Sequence, residues 1–259
     1  MNNLKILICC HKSCDLPNDD VYLPVQVGAA LSEQDLGMQR DDSDATGICD
    51  NISGKNKNYC ELTALYWAWK NHSHIFPDTN FVGISHYRRF FYVPGKRDIH
   101  FLENGGVIIP KLKLYPYSVE NAYRIEHESF DIDVLKSVVT ELYPECEESL
   151  LKVLRGNKTT VCNMFIASKD FFDSYCRWLF SILFEVEKRV HIDHYSDYQK
   201  RIFGFMSERL LYVYLLKNHI RIKEEKIKTV DIHEFNFLHR AFNDFRCNLA
   251  FFFGKKRHY

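Results

Sequence analysis

Two adjacent arginines follow a histidine and a tyrosine in the segment FVGISHYRRFF, residues 81–91. Its first five residues, FVGIS, predict a buried strand. The polar residues His86, Tyr87, Arg88 and Arg89 then stand where solvent or a ligand meets the strand end. Because guanidinium groups stay charged and present a planar fork of donors, they suit phosphate oxygens. The segment predicts an anion site, and ordinary surface salt bridges are the alternative.

Successive side chains of a strand point to opposite faces. If Arg88 and Arg89 share one strand, only one of them is expected to hold a ligand squarely. The other could pair with an acid such as Glu61 or Asp50.

A second polar pair, His11 and Lys12, follows the apolar run LKILICC at residues 4–10, which predicts a parallel strand. Ligands of open α/β sheets bind outside the carboxyl ends of the strands. We therefore expect both polar clusters to face one ligand.

The segment between these strands predicts a long polar loop at residues 39–58 and then a helix. Asn58 and Glu61 have the spacing of a capping box. The helix places apolar side chains on one face, namely Leu62, Leu65, Tyr66 and Trp69. The order strand, loop, helix, strand favours an α/β sheet with crossover connections.

Further elements are predicted along the remaining chain. Residues 17–30 are interpreted as a loop, residues 105–110 and 220–230 as strands, residues 159–168 as strand-rich, and residues 131–142, 169–190 and 203–218 as helices. We expect one domain over residues 1–259, with a helical carboxyl-terminal region.

Composition excludes several classes of protein. The chain has 259 residues, 34 basic and 34 acidic residues, and no net charge, so a nucleic acid is not expected as partner. Its nine cysteines contain no C-x-x-C pair, which is typical of reduced cytosolic thiols. We see neither a signal peptide nor a membrane-spanning stretch and expect a cytoplasmic protein.

Three segments, NYCELTALYWAWKN, FVGISHYRRFF and GFMSERLL, resemble the DUF4422 family. This is a bacterial galactofuranosyltransferase group (glycosyltransferase family 111) that includes the amino-terminal domain of a bifunctional O-antigen galactan polymerase. The resemblance extends from His11 to Leu210. It implies a GT-A-like mixed central sheet flanked by helices, a UDP-galactofuranose donor, and transfer onto a growing capsule, O-antigen or exopolysaccharide. A pyranosyltransferase that uses another UDP-sugar, and a non-catalytic nucleotide-sugar or glycan-binding module, are the alternatives.

Many GT-A enzymes neutralise the departing diphosphate with a metal bound to an Asp-x-Asp motif after a central strand. Here that place holds His86 to Arg89, so our hypothesis is that Arg88 or Arg89, helped by His86, replaces some or all of the metal's charge. The sequence does contain two Asp-x-Asp triplets, Asp42-Ser43-Asp44 and Asp131-Ile132-Asp133. Binding of a divalent Mn or Mg ion is therefore an open alternative. The second triplet also suits the start of a helix.

Inverting GT-A enzymes often place a carboxylate base at the amino end of a helix below the acceptor. Glu208, after Gly204 and Ser207, has this context, and Asp193 is the second candidate. Alternatively, Ser207 caps the helix and Glu208 pairs with Arg209.

Other site residues follow from their position along the chain. Candidates for the donor are His11, Lys12, Tyr22, Gln26, Gly28, Asn58, Tyr59, Glu61 and Thr63, besides His86 to Arg89. Candidates for a lipid-linked glycan acceptor are His127, Asn163 and Met164. An apolar cluster at 249–253 followed by Lys255, Lys256 and Arg257 predicts contact of a tail at about 245–259 with the inner face of an anionic membrane.

Overall fold

The computed structural model describes residues 3–43, 47, 49–230 and 237–255, the last range without the side chains of 237–240 and 255. The described strands are β1 (Leu4–Cys10), β2 (Tyr22–Gln26), β3 (Gln39–Arg40), β4 (Phe81–His86), β5 (Arg89–Phe91), β6 (Val107–Pro110), β7 (Lys113–Leu114), β8 (Lys158–Thr159), β9 (Phe165–Ser168), β10 (Ile222–Glu225) and β11 (Ile227–Thr229). The described helices are α1 (Asn56–Tyr59), α2 (Leu62–Ile75), α3 (Lys96–Glu103), α4 (Val119–Glu126), α5 (Asp131–Leu142), α6 (Glu147–Arg155), α7 (Lys169–Arg189), α8 (Ile202–Lys217) and α9 (Phe237–Lys255). Short 3₁₀ turns occur at Ala29–Leu31, Ser53–Lys55, Pro144–Cys146 and Gln199–Arg201.

The central sheet is mixed and has the order β10-β6-β9-β4-β1-β2-β3, with β5 joining β4 to β11. β1 runs parallel to β2 and β4, whereas β9 runs antiparallel to β4 and β6. β7 and β8 form a separate antiparallel pair. The predicted mixed α/β sheet flanked by helices is therefore confirmed.

The register of three strands brings distant segments to one edge of the sheet. Cys9 pairs with His86, so β1 and β4 end side by side. Phe165, which begins the antiparallel strand β9, pairs with Ile84. Residues just before β9 therefore lie at the same edge as residues just after β1 and β4.

Apolar side chains cover both faces of the central strands. In β1, Leu7 and Cys9 pack with the large core on one face, while Leu4 and Ile6 pack with a smaller core on the other. The large core joins the sheet to α2, α5, α6, α7 and α8. Burial on both faces explains why β1 is a continuous apolar run in the sequence.

Gly83 permits the close packing of β4 against its neighbours. A Cβ atom at this position would lie 2.9 Å from the side chain of Ile166 and 3.1 Å from that of Ile6. Since real Cβ contacts are longer, a larger residue would push β9 or β1 away from β4.

Three local expectations were wrong. Tyr22–Gln26 forms β2 inside the segment interpreted as a loop. Its pairing with β1 stabilises the strand although Pro24 and the weak apolar alternation of the segment do not favour one. The capping box is absent: α2 begins at Leu62, and no side chain caps it. The strand-rich segment 159–168 is interrupted between β8 and β9.

Arg88 and Arg89 also do not share one strand. His86 ends β4, Tyr87 and Arg88 form a tight turn, and Arg89 begins the antiparallel strand β5. The predicted opposite orientation on a single strand is therefore wrong, because a hairpin turn separates the two guanidinium groups.

Candidate active site

A cavity of about 710 Å³ lies at the edge of the sheet where β1 and β4 end. It is formed by the end of β1, the β4–β5 hairpin, α1 and the turn before α8. Its lining residues are Cys9, His11, Val27, Asn56, Lys57, Cys60, Glu61, His86, Tyr87, Arg88, Arg89, Asp197, Lys200 and Arg201. Of the two polar clusters predicted to face one ligand, His11 and all of His86 to Arg89 line this cavity, whereas Lys12 does not.

The lining of the cavity is predominantly basic. Five residues carry a permanent positive charge, namely Lys57, Arg88, Arg89, Lys200 and Arg201, against the carboxylates of Glu61 and Asp197. In the described part of the chain, no salt bridge of Arg88 or Arg89 is formed. The suggested partner acids are engaged elsewhere: Glu61 accepts a hydrogen bond from Asn163, and Asp50 from Tyr66.

The β4–β5 hairpin packs against the end of β1 through Tyr87. The ring of His11 meets the Tyr87 ring edge-on at 4.9 Å, the Arg88 guanidinium lies 5.3 Å from it, and the Lys12 ammonium 5.7 Å. Burial first, and then the charges of Lys12, Arg88 and Arg201, lower the pKa of His11. His11 is therefore a neutral hydrogen-bonding group among cations.

A turn at Cys162 and Asn163 connects several candidate residues. Both have left-handed backbone angles, with φ of 64° and 49°. The carbonyl oxygen of Cys162 lies 2.6 Å from His86 Nε2, and Arg89 Nη1 donates to Cys162 Sγ at 3.6 Å. Left-handed residues that are not glycine store strain and are frequent at functional sites.

The same turn holds two carboxylates. The N–H of Cys162 donates to Glu208 Oε1 at 2.7 Å. Asn163 Nδ2 donates to Glu61 Oε1 at 2.6 Å and to the carbonyl oxygen of Gly204 at 3.2 Å. Asn163 therefore positions Glu61, which lines the cavity, and Cys162 positions Glu208 on the other side of the turn.

Glu208 belongs to α8 and does not line the cavity. Its Oε2 accepts from Arg209 Nη1 at 3.0 Å, so the predicted pairing of Glu208 with Arg209 does form. Burial is the first cause that raises the pKa of Glu208; Arg209 and the Cys162 N–H oppose it. A carboxylate with a raised pKa is a stronger base than an ordinary exposed one.

The wall formed by the end of α1 and the turn before α8 contains three residues that the sequence analysis did not name, Cys60, Lys200 and Arg201. Arg201 Nε donates to Cys60 Sγ at 3.2 Å, and Cys60 has a left-handed φ of 52° between α1 and α2. Asn58 Nδ2 donates to the carbonyl oxygen of Lys200 at 2.9 Å and thereby fastens α1 to this wall. The only available signal was the charged stretch DYQKR before α8.

Gly28 belongs to a loop beside the cavity. Its φ is 66°, and a Cβ would lie 2.7 Å from Asn56. Its N–H donates to Asp41 Oδ2 at 2.8 Å, and Asp41 also accepts from the N–H of Ala29. The buried Asp41, which the sequence reading passed over, therefore fixes the loop that includes Val27.

Several candidates lie outside the cavity lining and have partners in the fold. The Tyr22 hydroxyl donates to the Phe91 carbonyl oxygen, and Tyr59 donates to Glu187. Gln26 bonds both the carbonyl oxygen of Gln34 and the N–H of Leu36. Thr63, on α2, donates to the carbonyl oxygen of Cys60.

The remaining acceptor and base candidates are also outside the lining. Met164 is buried in the smaller core, and Asp193 is exposed in the segment between α7 and α8. His127 stacks on Phe205, with ring centroids 3.9 Å apart, and burial first lowers its pKa to about 4. Asp197 is the carboxylate of that segment that does line the cavity.

The aspartate triplets do not fit a metal ion well. Asp42 forms a salt bridge with Arg40, and Asp44 lies outside the described residues. Asp131 accepts from the Tyr195 hydroxyl at 2.7 Å, and Asp133 pairs with Arg124. Among described residues, no group of three or more histidine, cysteine or acidic side chains could hold a metal.

No helix within the described ranges is long and apolar enough to cross a membrane. Of the tail predicted to touch the membrane, residues 256–259 lie outside the described residues, and α9 includes the rest.

Comparison with known proteins gives a family and a related structure. The family described as "Domain of unknown function (DUF4422)" matches residues 5–219. The chain is similar to the apo structure of the WbbM bifunctional glycosyltransferase, with a TM-score of 0.76 and 28% sequence identity. The similarity covers 91% of this chain and 46% of the WbbM chain, so the chain spans about half the length of that protein. No curated protein matches the sequence.

Proposed function

This chain belongs to the DUF4422 family, and we propose that it is a glycosyltransferase that uses UDP-galactofuranose as donor. The acceptor is a lipid-linked, growing bacterial surface polysaccharide such as capsule, O-antigen or exopolysaccharide. The similarity to WbbM supports glycosyl transfer as the reaction class.

The observation that carries the proposal is the pair of guanidinium groups of Arg88 and Arg89 in the cavity, which lack a salt bridge with any described residue. Cations held in a concave site without a protein counter-ion favour an anionic ligand. A nucleoside diphosphate supplies the required charge, and the end of a parallel strand is where such ligands bind in α/β sheets.

The reaction would proceed by inversion. The acceptor hydroxyl oxygen forms a bond with the anomeric carbon of the sugar while the bond from that carbon to the UDP oxygen breaks. The hydroxyl proton passes to the base, for which we propose Glu208, and the bonding electrons leave with UDP. Arg88 and Arg89, with Arg201 in the turn before α8, stabilise the charge that develops on the diphosphate.

His11 and His86 have supporting roles in this proposal. The neutral imidazole of His11 is available to hydrogen-bond the donor between Lys12 and Arg88. His86 is held by the carbonyl oxygen of Cys162 and so keeps the hairpin at a fixed distance from Glu208. Lys12, which follows β1, supports the hairpin through the ring of Tyr87.

Glu61 is the rival for the role of base. It lines the cavity, whereas Glu208 does not and is linked to the lining residues His86 and Arg89 only through Cys162. We favour Glu208 because burial raises its pKa. Glu208 also accepts a hydrogen bond from Cys162, whose Sγ atom is in contact with Arg89.

A donor screen tests the proposal. UDP-galactofuranose, UDP-galactopyranose and UDP-glucose are compared with a polyprenyl-diphosphate-linked sugar as acceptor mimic, with and without EDTA. We expect transfer from UDP-galactofuranose that EDTA reduces by less than about tenfold, since cations of the protein supply the counter-charge. Transfer from a pyranose donor would reassign the sugar. Absence of UDP release from every donor, with and without acceptor, would instead indicate a binding module.

A further inference from the structure

Helix α9 exposes a stripe of large apolar side chains. Phe242, Phe245, Leu249 and Phe253 are each between 43% and 62% exposed. Their spacing of three or four residues places them on one side of the helix. An apolar stripe normally faces the protein core, whereas the stripe of α9 faces solvent.

α9 contacts the protein mainly through Cys247, which is the only buried side chain among those described for this helix. Cys247 is 8% exposed, and with Asn243, Arg246 and Ala250 it lines a smaller cavity of about 340 Å³ beside β7. Asn157 Nδ2 donates to Asn248 Oδ1 at 3.0 Å and fastens the helix to the residue before β8. The stripe is therefore exposed while the helix itself is docked.

The charges of α9 favour an anionic surface as the occupant of the stripe. The helix contains Arg240, Arg246 and Lys255 against one acidic residue, Asp244, and the sequence continues with Lys256 and Arg257. Apolar side chains accompanied by basic residues are the composition of helices that lie in the headgroup region of anionic bilayers. Symmetric pairing with a second copy would bring like charges together.

We propose that α9 docks on the surface of an anionic phospholipid bilayer, with Phe242, Phe245, Leu249 and Phe253 inserted among the headgroups. The helix lies on the bilayer and does not cross it. The sequence had indicated such contact for the tail; the structure assigns it to a specific face of α9.

Docking of α9 has a consequence for glycosyl transfer, and this consequence rests on the proposed function. Asn157 links α9 to β8, and beyond β8 the Thr160 hydroxyl donates to the main-chain carbonyl oxygen of Glu208. Docking of α9 would therefore hold the Glu208 side of the active site close to the membrane, where a lipid-linked acceptor is found.

Vesicle co-sedimentation tests the docking. The probe is vesicles of phosphatidylglycerol and phosphatidylcholine in equal parts, with pure phosphatidylcholine for comparison. The test variant combines Phe242→Ser, Phe245→Ser, Leu249→Ser and Phe253→Ser. We expect it to partition into the mixed vesicles at least about tenfold less than the wild type. The wild type should bind pure phosphatidylcholine more weakly.

The matched control replaces exposed apolar side chains elsewhere, with Leu31→Ser, Tyr92→Ser and Phe130→Ser. It should bind like the wild type. All replaced side chains are exposed, so both variants should keep the thermal unfolding midpoint of the wild type; if the test variant unfolds earlier, the pair Phe242→Ser and Phe245→Ser replaces it.

Equal vesicle binding by test variant and wild type would overturn the proposal, and so would a wild type that does not bind. A wild-type dimer that the test variant converts to monomer, without vesicle binding, would assign the stripe to a second copy. Because no donor is present, failure of the transferase proposal would leave this result unaffected.

Discussion

The cavity and the surface between α4 and α5 both concentrate charged side chains, but they use them differently. On the surface, Arg124 lies 2.6 Å from Asp133 and 2.7 Å from Glu120, and Lys136 lies 3.2 Å from Glu120. Each of these four side chains has a partner of opposite charge. In the cavity, the permanent cations outnumber the carboxylates.

This difference separates a stabilising charge network from a ligand site. Paired surface charges satisfy one another and contribute modestly to stability. Unpaired cations in a concave site repel one another and are compensated when an anion binds. In the sequence, Arg88-Arg89 and Asp131-Ile132-Asp133 are equally good candidates for a ligand site. Only their partners in the structure distinguish them.

Removal of the cavity arginines should have the largest effect. One preorganised donor to a developing negative charge is worth about 2.7–4 kcal/mol. We expect Arg88→Ala combined with Arg89→Ala to lower kcat/KM for the UDP-sugar by at least about a hundredfold. The exposed side chains should leave the unfolding midpoint unchanged. Full activity of this variant, together with loss of wild-type activity in EDTA, would show that a metal carries the counter-charge.

The second prediction concerns the base. Glu208→Gln should lower kcat by roughly 10²–10⁴-fold with little change in UDP affinity. Burial raises the pKa of Glu208 above its ordinary 4.5. The wild-type rate should therefore fall as the pH drops through this raised pKa, since the protonated carboxyl cannot accept a proton.

Glu61→Gln is the matched comparison for the base. It should weaken donor binding more than it slows turnover, because Glu61 lines the cavity. If Glu61→Gln loses turnover while Glu208→Gln keeps it, the role of base belongs to Glu61.

The third prediction contrasts the two acids of one triplet. Burial is the main cause that raises the pKa of Asp131 from 3.8 to about 6. Between these values the folded state holds a proton that the unfolded state has released, so the free energy of unfolding decreases by about 2 kcal/mol as the pH rises from about 4 to 6. Urea unfolding of Asp131→Asn across this range should lack that decrease.

Asp133 should show the opposite behaviour. Its hydrogen bond with Arg124 is the first cause that lowers its pKa below 3.8. Its contribution to stability is present above its unfolded pKa and is lost as the pH falls through its lowered folded pKa. An Asp133→Asn variant whose stability profile matched that of Asp131→Asn would refute the assigned environments.

The smallest effect is expected at the surface between α4 and α5, where the charged side chains form salt bridges. Arg124→Ala removes two salt bridges of a partly exposed network and should lower the free energy of unfolding by about 1 kcal/mol. The loss should shrink at high salt because exposed charges are screened. UDP affinity should be unchanged in calorimetry, and a tenfold weaker affinity would contradict the separation of the two regions.

Much of the fold could be predicted because its elements have strong local patterns. The continuous apolar runs of β1 and β4 indicated buried strands, and α5 begins at Asp131 and ends at Leu142 as expected. β2 escaped detection, since its strand conformation depends on pairing with β1 and β3.

Apart from Glu61, the site was predictable only on the side formed by strand ends. His11 and His86 to Arg89 follow apolar runs directly, so their location at the sheet edge was visible. Lys57, Lys200 and Arg201 come from a short helix and a 3₁₀ turn whose positions depend on tertiary packing. Asn163 and Glu61 were both candidates, but the hydrogen bond between them, across 102 residues of sequence, was not predicted.

The sequence by itself determined which strands are buried, where they end, and that two arginines follow one of them. Those properties depend on residue type and on neighbours within a few positions. Tertiary structure decided which charges are paired, because pairing requires distances between residues far apart in the chain. In the folded chain, Asp131 and Asp133 pair with Tyr195 and Arg124. Cys162, in a left-handed conformation, contacts His86, Arg89 and Glu208.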